Sequence, residues 1–315
     1  MSHYRHLHKY IVLFSIICLS IACHRRMPAP PPLPPKPELL ISFKSIEGKE
    51  YTEVKRVFNT GYVFDSGGYE LVPLWKITFL PDDSVRIYSP KLQKYVICPV
   101  TIDHGSVASI AWSWVRVLKQ TPDSLLFRVL NVSSQHVHET KPYVLMTLYR
   151  NDYIKNTLHT TAEKLMRHRS KDSVFVQNLV KQANADYKQI FGATEPAVFT
   201  SISPNLQVKR IHAKVDRLNG VFEEDDYLSP NYEITIHKAY ADFDYYMLVM
   251  VDEKGKLHFM KSINNLFADV EYKLKAMKSI TEDGYLSFYM KAAPGKTWGM
   301  PHASPVMIRV KGVKG

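Results

Sequence analysis

From Leu39 to Arg150 the chain runs as short apolar segments of alternating polarity, each cut off by turn residues. A period of two over four to eight residues belongs to half-buried strands, and closely spaced strands with tight turns favour antiparallel pairing. Strands are predicted at Leu39–Phe43, Leu74–Phe79, Ser84–Tyr88, Tyr95–Val100, Ala111–Leu118, Leu125–Val132 and Tyr143–Tyr149. In Trp112-Ser113-Trp114-Val115-Arg116-Val117 the alternation puts Trp112, Trp114 and Arg116 on one face. Asp65-Ser66-Gly67-Gly68, Pro81-Asp82-Asp83 and Pro122-Asp123 supply the turn chemistry. The expectation for 38–151 is an antiparallel β domain, either a sandwich or a small barrel.

The periodicity then changes. Thr160-Thr161-Ala162-Glu163 reads as a capping box opening a short helix. Asp172–Phe191 is predicted as the longest helix, capped by Asp172 or Ser173 and stopped by a left-handed Gly192. Val176, Leu179, Val180, Ala183, Tyr187, Ile190 and Phe191 would form its apolar stripe. Residues 152–195 are therefore expected to be a helical connector. Beyond them, 196–315 should be an α+β domain. Its strands are predicted at Gln207–Ala213, Tyr232–Lys238, Tyr245–Asp252, Lys256–Ser262, Leu286–Lys291 and Val306–Val310. A helix is expected at Phe267–Ile280, and Asp252-Glu253-Lys254-Gly255-Lys256 should be a hairpin turn with Gly255 at positive φ.

At the amino end, Arg5 and Lys9 precede an apolar run, Ile11–Ile17, followed by Leu19-Ser20-Ile21-Ala22-Cys23. A charged head, an apolar centre and small residues before a cut make a secretory signal peptide, here residues 1–22. The segment ending in Ala22-Cys23 resembles the signal of a Bacteroidota-type bacterial lipoprotein. It departs from the usual lipobox at Ser20, where that motif carries Leu. The resemblance implies lipidation of Cys23, a membrane anchor of several acyl chains, palmitate among them, and an outer-membrane lipoprotein facing the periplasm. The alternative is an inner-membrane signal anchor, because Arg25 and Arg26 follow the apolar run as a stop-transfer flank would. Residues 23–37 then form a linker, and the proline-rich run 27–37 is expected to be a stiff spacer of roughly 30 Å.

Loss of residues 1–22 removes Arg5 and Lys9 and no acid, leaving 39 basic against 30 acidic side chains, or +9. The positive charges are spread along strands, with only Lys164, Arg167, Arg169 and Lys171 forming a local run that reads as a solvated helix end and loop, so no nucleic-acid partner is expected. Anionic headgroups, an envelope protein or peptidoglycan are the partners this charge suits in a secreted chain. With Cys18 removed and Cys23 lipidated, Cys98 is left without a disulfide partner and reads as a small buried hydrophobe.

Near the carboxyl end, Tyr246–Lys256 forms a valine-rich hairpin with an acidic-glycine turn, Ala268–Ile280 a helix, Pro294-Gly295-Lys296 a turn, and Pro305–Val310 a last strand. This order, over roughly 232–312, resembles the C-terminal module of TonB-type energy transducers. The resemblance implies a TonB-like interaction module. Thr281–Ala293 is an insertion relative to that module, and the tyrosine-proline dipeptide that usually precedes its first hairpin is missing.

His136 and His138 lie two apart on one strand face and are the candidate metal ligands, with Asp103-His104 the nearest third group. The same groups would serve an envelope hydrolase acting on glycan or peptide. Asp65-Ser66-Gly67-Gly68 is similar to a serine-protease segment but suits a turn equally well, and Glu223-Glu224-Asp225-Asp226 reads as a solvated acidic loop. Trp75, Trp112, Trp114, Trp298 and the many tyrosines suit carbohydrate stacking or a β-rich core. No catalytic set and no cofactor are expected. The leading expectation is a non-enzymatic, lipid-anchored envelope protein with a binding or assembly role.

Overall fold

The computed structural model describes residues 40–111, 113–133, 136–138, 142–215, 224–264 and 269–315, with backbone only at 132–133 and 136–138. Its first half is built on β1 (Glu50–Phe58), β2 (Lys76–Leu80), β3 (Ser84–Ser89), β4 (Lys94–His104) and β5 (Val107–Ile110). β6 (Ser113–Gln120) and β7 (Ser124–Val129) follow; β8 (Asn131–Ser133) and β9 (His136–His138) pair only with each other, and β10 (Val144–Arg150) comes last. Each barrel strand pairs antiparallel with the next, and β10 returns to β1, closing an eight-stranded up-and-down barrel. Closure removes the free edges that an open sheet of this length would expose.

Period-two alternation fills the barrel. Tyr51, Ile77, Phe79, Val85, Ile87, Cys98, Val115, Phe127 and Leu148 point inward and are buried. Each large apolar side chain buried in this way contributes about 1.5–3 kcal/mol. The strand expected at Leu39–Phe43 does not form among its described residues. The chain there is irregular and leads into a 3₁₀ turn, Lys44–Ile46. Phe43 stacks on Phe79 at 4.3 Å and Ile46 is fully buried, so these apolar residues plug the barrel rather than extend its wall. β1 was not legible because a bulge between Glu53 and Lys55 breaks its alternation.

After β10 come a π-helical turn (Tyr153–Thr157), α1 (Ala162–Met166) and α2 (Ser170–Ala185). Thr161, not Thr160, caps α1, and its hydroxyl accepts from Lys164 N. α2 starts two residues earlier than expected, with Asp172 at its third position reaching back to Arg169 N. It stops at Ala185, because Asp186 turns extended and caps a 3₁₀ turn, Tyr187–Gln189. Gly192 is not left-handed; it gives room, since a Cβ there would lie 3.0 Å from Leu228 Cα. Val176, Leu179, Val180 and Ala183 pack with Phe64, Phe191 and Trp298 in a small core between the helix and the strands around it.

The second half holds β11 (Val198–Ser201), β12 (Leu206–Ile211), α3 (Asp225–Leu228), β13 (Asn231–Ala239), β14 (Phe243–Val251), β15 (Leu257–Ser262), α4 (Val270–Glu282) and α5 (Tyr285–Tyr289). β16 (Met290–Ala293), β17 (Lys296–Thr297), β18 (Met300–Pro301) and β19 (Ser304–Lys314) complete it. The main sheet has order β12-β13-β19-β14-β15, with β13 and β19 parallel and every other pair antiparallel. Met277, Ile280 and Leu286, from α4 and α5, bury against Ile234, Val249, Val306 and Ile308 of the sheet. The expected turn after β14 is present: Asp252 accepts from Lys254 N and Lys256 N, and Gly255 has φ +83°. The strand expected at Leu286–Lys291 is a correction. Gly284 starts α5 there, and only Met290–Ala293 is extended.

Candidate functional site

The barrel's outer wall carries an open polar cleft, about 530 Å³ in volume. Its floor follows from register. Thr52 of β1 faces Lys76 of β2, and Tyr88 of β3 faces Tyr95 of β4, so one outward row crosses four strands. Glu50, Thr78 and Arg86 occupy the next row. Since successive side chains point to opposite faces, the inward neighbours Tyr51, Ile77 and Ile87 fix these polar residues outward. The π turn after β10 and the start of α1 fold over this wall. They add Asn151, Ile154, Lys155, Thr160, Thr161 and Glu163 to the lining.

The π turn is held by Leu158 N donating to Tyr153 O at 3.0 Å, and Thr160 N donates to Ile154 O. A π turn widens the helical path by one residue, and such turns recur at functional sites. Here it sets Ile154 into the wall and leaves Lys155 in the cleft.

Polar groups in the cleft orient one another. Asn151 Nδ2 donates to Glu50 Oε2 at 2.8 Å while its Oδ1 accepts from Thr52 Oγ1 at 2.7 Å. Tyr95 OH donates to Glu50 Oε1 at 3.1 Å. Burial, then the neighbouring Glu50 carboxylate, raises the Tyr95 phenol above its ordinary value, so it stays a donor at neutral pH. The Tyr95 ring is 42% exposed, with the Arg86 guanidinium over it at 5.0 Å and Tyr88 edge-on at 5.4 Å. Lys76 Nζ lies 5.9 Å from the Tyr88 ring centre. At the other side, backbone N–H donation at the start of α1 and the Thr161 hydroxyl hold Glu163 below the usual carboxylate range. Two carboxylates, Glu50 and Glu163, thus share the lining with two ammonium groups, Lys76 and Lys155.

The candidate functional residues of the sequence do not line the cleft where they are described. Cys23 and the side chains of His136 and His138 lie outside the described residues; β9 is described as backbone. Asp103 and His104 form an exposed pair, 2.7 Å apart, at the end of β4. Asp65-Ser66-Gly67-Gly68 is a turn, with Asp65 Oδ1 accepting from Gly67 N and Tyr69 N. Asp226 serves structure by accepting from Arg210, His212 and Ala213 N. Cys98 is buried inside the barrel, and burial raises its thiol pKa. Among the described residues, no three His, Cys, Asp or Glu side chains gather where they would hold a metal.

Trp75 belongs to the barrel core, and Trp298 donates to Glu70 Oε1 while stacking on His168 at 3.9 Å. Of the aromatics, the cleft uses Tyr95, one among many in the sequence. Glu50, Lys76, Tyr95 and Asn151 carried no sequence signal, since only strand pairing brings them together. No protein-family model matches the chain, and no curated protein matches it. No helix of the described residues is long and apolar enough to cross a membrane.

Proposed function

We propose that this chain is a cell-envelope protein, anchored by lipid on Cys23, whose folded part binds a glycan of the envelope wall in the cleft around Tyr95. One observation carries the binding role: Glu50, oriented by Asn151 and Tyr95, opens on a cleft whose lining balances acceptors against donors beside an exposed aromatic ring. Sugars offer hydroxyls that both donate and accept, and apolar C–H faces that lie on aromatic rings. A charge-balanced lining with planar carboxylate groups and one stacking ring meets both needs. A volume of about 530 Å³ accommodates two to three sugar rings of a longer strand.

The anchor rests on the signal-like segment before Cys23. The proline-rich composition of 27–37 is that of a spacer between a lipid anchor and a part that reaches peptidoglycan. In this layout 38–151 is the binding domain, 152–195 the helical connector that roofs the cleft, and 196–315 the α+β domain.

A second reading, a TonB-like interaction module at the carboxyl end, draws on β15, β14 and β19 lying side by side with α4 packed on β15. β15 is an edge strand, the place where such a module would take a partner strand.

The anchor is tested by intact mass and membrane partitioning of the wild type and Cys23→Ala. A lipid-sized mass increment lost with the cysteine is the expected result, and an unprocessed membrane-bound variant with no lipid on the wild type would mean a signal anchor. The cleft is tested by titration with soluble peptidoglycan glycan fragments. Tyr95→Ala should weaken binding about tenfold, the loss of one stacking contact of about 1–1.5 kcal/mol.

A further inference from the structure

We propose that the pocket between the β1 bulge and the turn joining α1 to α2 is a binding site for a phosphate group, held by Lys55 and Arg167. The pocket is separate from the glycan cleft and measures about 130 Å³. Its walls are apolar, from Val54, Val63, Leu71 and Leu165, while Lys55 and Arg167 are exposed at its lining.

The bulge makes the site. An extra residue between Glu53 and Lys55 lets Glu53 and Val54 both bury, and it re-aims Lys55 toward the pocket. Among the described residues, the carboxylates of Glu53, Asp172 and Glu70 near the pocket each have other partners. Fully buried Glu53 takes Arg56 on both oxygens at 2.8 Å and also accepts from Leu74 N and Trp75 N. Asp172 is likewise taken by Arg169, and Glu70 by His168 and Trp298. No carboxylate among the described residues pairs with Lys55 or Arg167. Outside the lining, the Lys171 ammonium lies over the Tyr62 ring at 5.3 Å and is close enough to Lys55 to add to the positive field. Burial first, then Arg169 and Lys171, pushes the Lys55 ammonium below its ordinary value, against a smaller opposing pull from Asp172.

A phosphate monoester carries about −1.5 to −2 charge at neutral pH, which matches the Lys55 and Arg167 cations together better than a carboxylate does. Lysine supplies a point charge, and arginine a fork of donors that fits two phosphate oxygens. The volume admits one compact anion and excludes a sugar ring.

The test is isothermal titration of the full chain in nonionic detergent at low ionic strength, with inorganic phosphate and, separately, glycerol 3-phosphate. One saturable site is expected, weakened tenfold or more in Lys55→Gln and in Arg167→Gln and unchanged in Lys91→Gln. Tighter binding of glycerol 3-phosphate would identify an esterified, headgroup-type phosphate as the occupant. Equal or weaker binding would identify the free ion. Circular dichroism spectra matching the wild type establish that each variant is folded; both pocket side chains are exposed, so either variant alone decides the question. No saturable binding of either probe, or equal binding by all variants, would overturn the proposal.

Discussion

Asp172 fastens α2 to the barrel, and its removal gives the sharpest stability prediction. The side chain is fully buried at 0% exposure. Oδ2 accepts from Arg169 Nε at 2.7 Å and Arg169 N at 3.2 Å, while Oδ1 accepts from Arg169 Nη2 at 3.0 Å and Val63 N at 3.2 Å. The same Arg169 Nη2 donates to Gly61 O at 2.7 Å, so one carboxylate joins the β1–β2 loop to the helix start. Asp172→Asn keeps the shape and one acceptor oxygen but turns an N–H₂ toward the Arg169 guanidinium. Two charge-assisted bonds at about 1.5–3 kcal/mol each are lost, partly offset because Arg169 is 34% exposed and rehydrates. The expected cost is about 3 kcal/mol, and for Asp172→Ala about 4 kcal/mol, within the range for removing one partner of a buried pair. At ~2–4 °C per kcal/mol for a unit of this size, Asp172→Asn should lower Tm by ~6–12 °C.

Acid gives an independent check. Burial raises the Asp172 pKa, but the Arg169 side chain and the N–H groups of Val63 and Arg169 outweigh it and hold the carboxyl below its usual 3.8. A depressed carboxyl stabilises above its unfolded value, and that contribution is lost as pH falls through the folded one. Wild type and Asp172→Asn should therefore differ fully at pH 6 and converge below pH 3.8 in urea unfolding followed by tryptophan fluorescence. A difference under 1 kcal/mol at pH 6, or one that persists unchanged at pH 2, would refute this account of the ion pair.

Two more stability predictions follow from packing and burial. Gly68 has φ +100°, and a Cβ there would sit 2.3 Å from Gly192 O, so Gly68→Ala should cost about 3 kcal/mol in strain and overpacking, read as a lowered urea midpoint. His302 is fully buried, with Nδ1 donating to Ala303 O, Nε2 accepting from Thr297 Oγ1 and the ring stacked on Phe191 at 4.0 Å. Burial lowers its pKa below 6.5, so its contribution is present above pH 6.5 and lost as pH falls toward the folded value. Between pH 7 and 5 the wild type should lose stability faster than His302→Ala in thermal melts, and parallel curves would contradict this.

Local chemistry was legible in the sequence where it acts alone. Asp252-Glu253-Lys254-Gly255-Lys256 announces its hairpin because Asp252 and Gly255 encode the turn without help. The alternation of Leu125–Val132 and Tyr143–Tyr149 likewise names strands whose inward faces are buried. Tertiary forces erased the signal elsewhere. β1 reads as a charged segment because buried Glu53 is satisfied by Arg56 and two backbone N–H groups about twenty residues away. Tyr285–Tyr289 carries the aromatics of a strand, yet it packs as a helical turn after Gly284. The cleft was hidden for the same reason. Glu50 and Asn151 are 101 positions apart, and only barrel closure by β10 on β1 brings them into contact.

The central claim is that the cleft around Tyr95 and Glu50 holds envelope glycan, and cosedimentation of the full chain with purified peptidoglycan sacculi tests it most directly. Wild type, Tyr95→Ala, Glu50→Gln and, as a control on the β14–β15 turn of the other sheet, Lys254→Gln would be compared at equal protein and physiological salt. The account predicts saturable pelleting of the wild type and control, weakened about tenfold in Tyr95→Ala and further reduced in Glu50→Gln. Pelleting that is absent in the wild type, or equal across all four proteins, would contradict it.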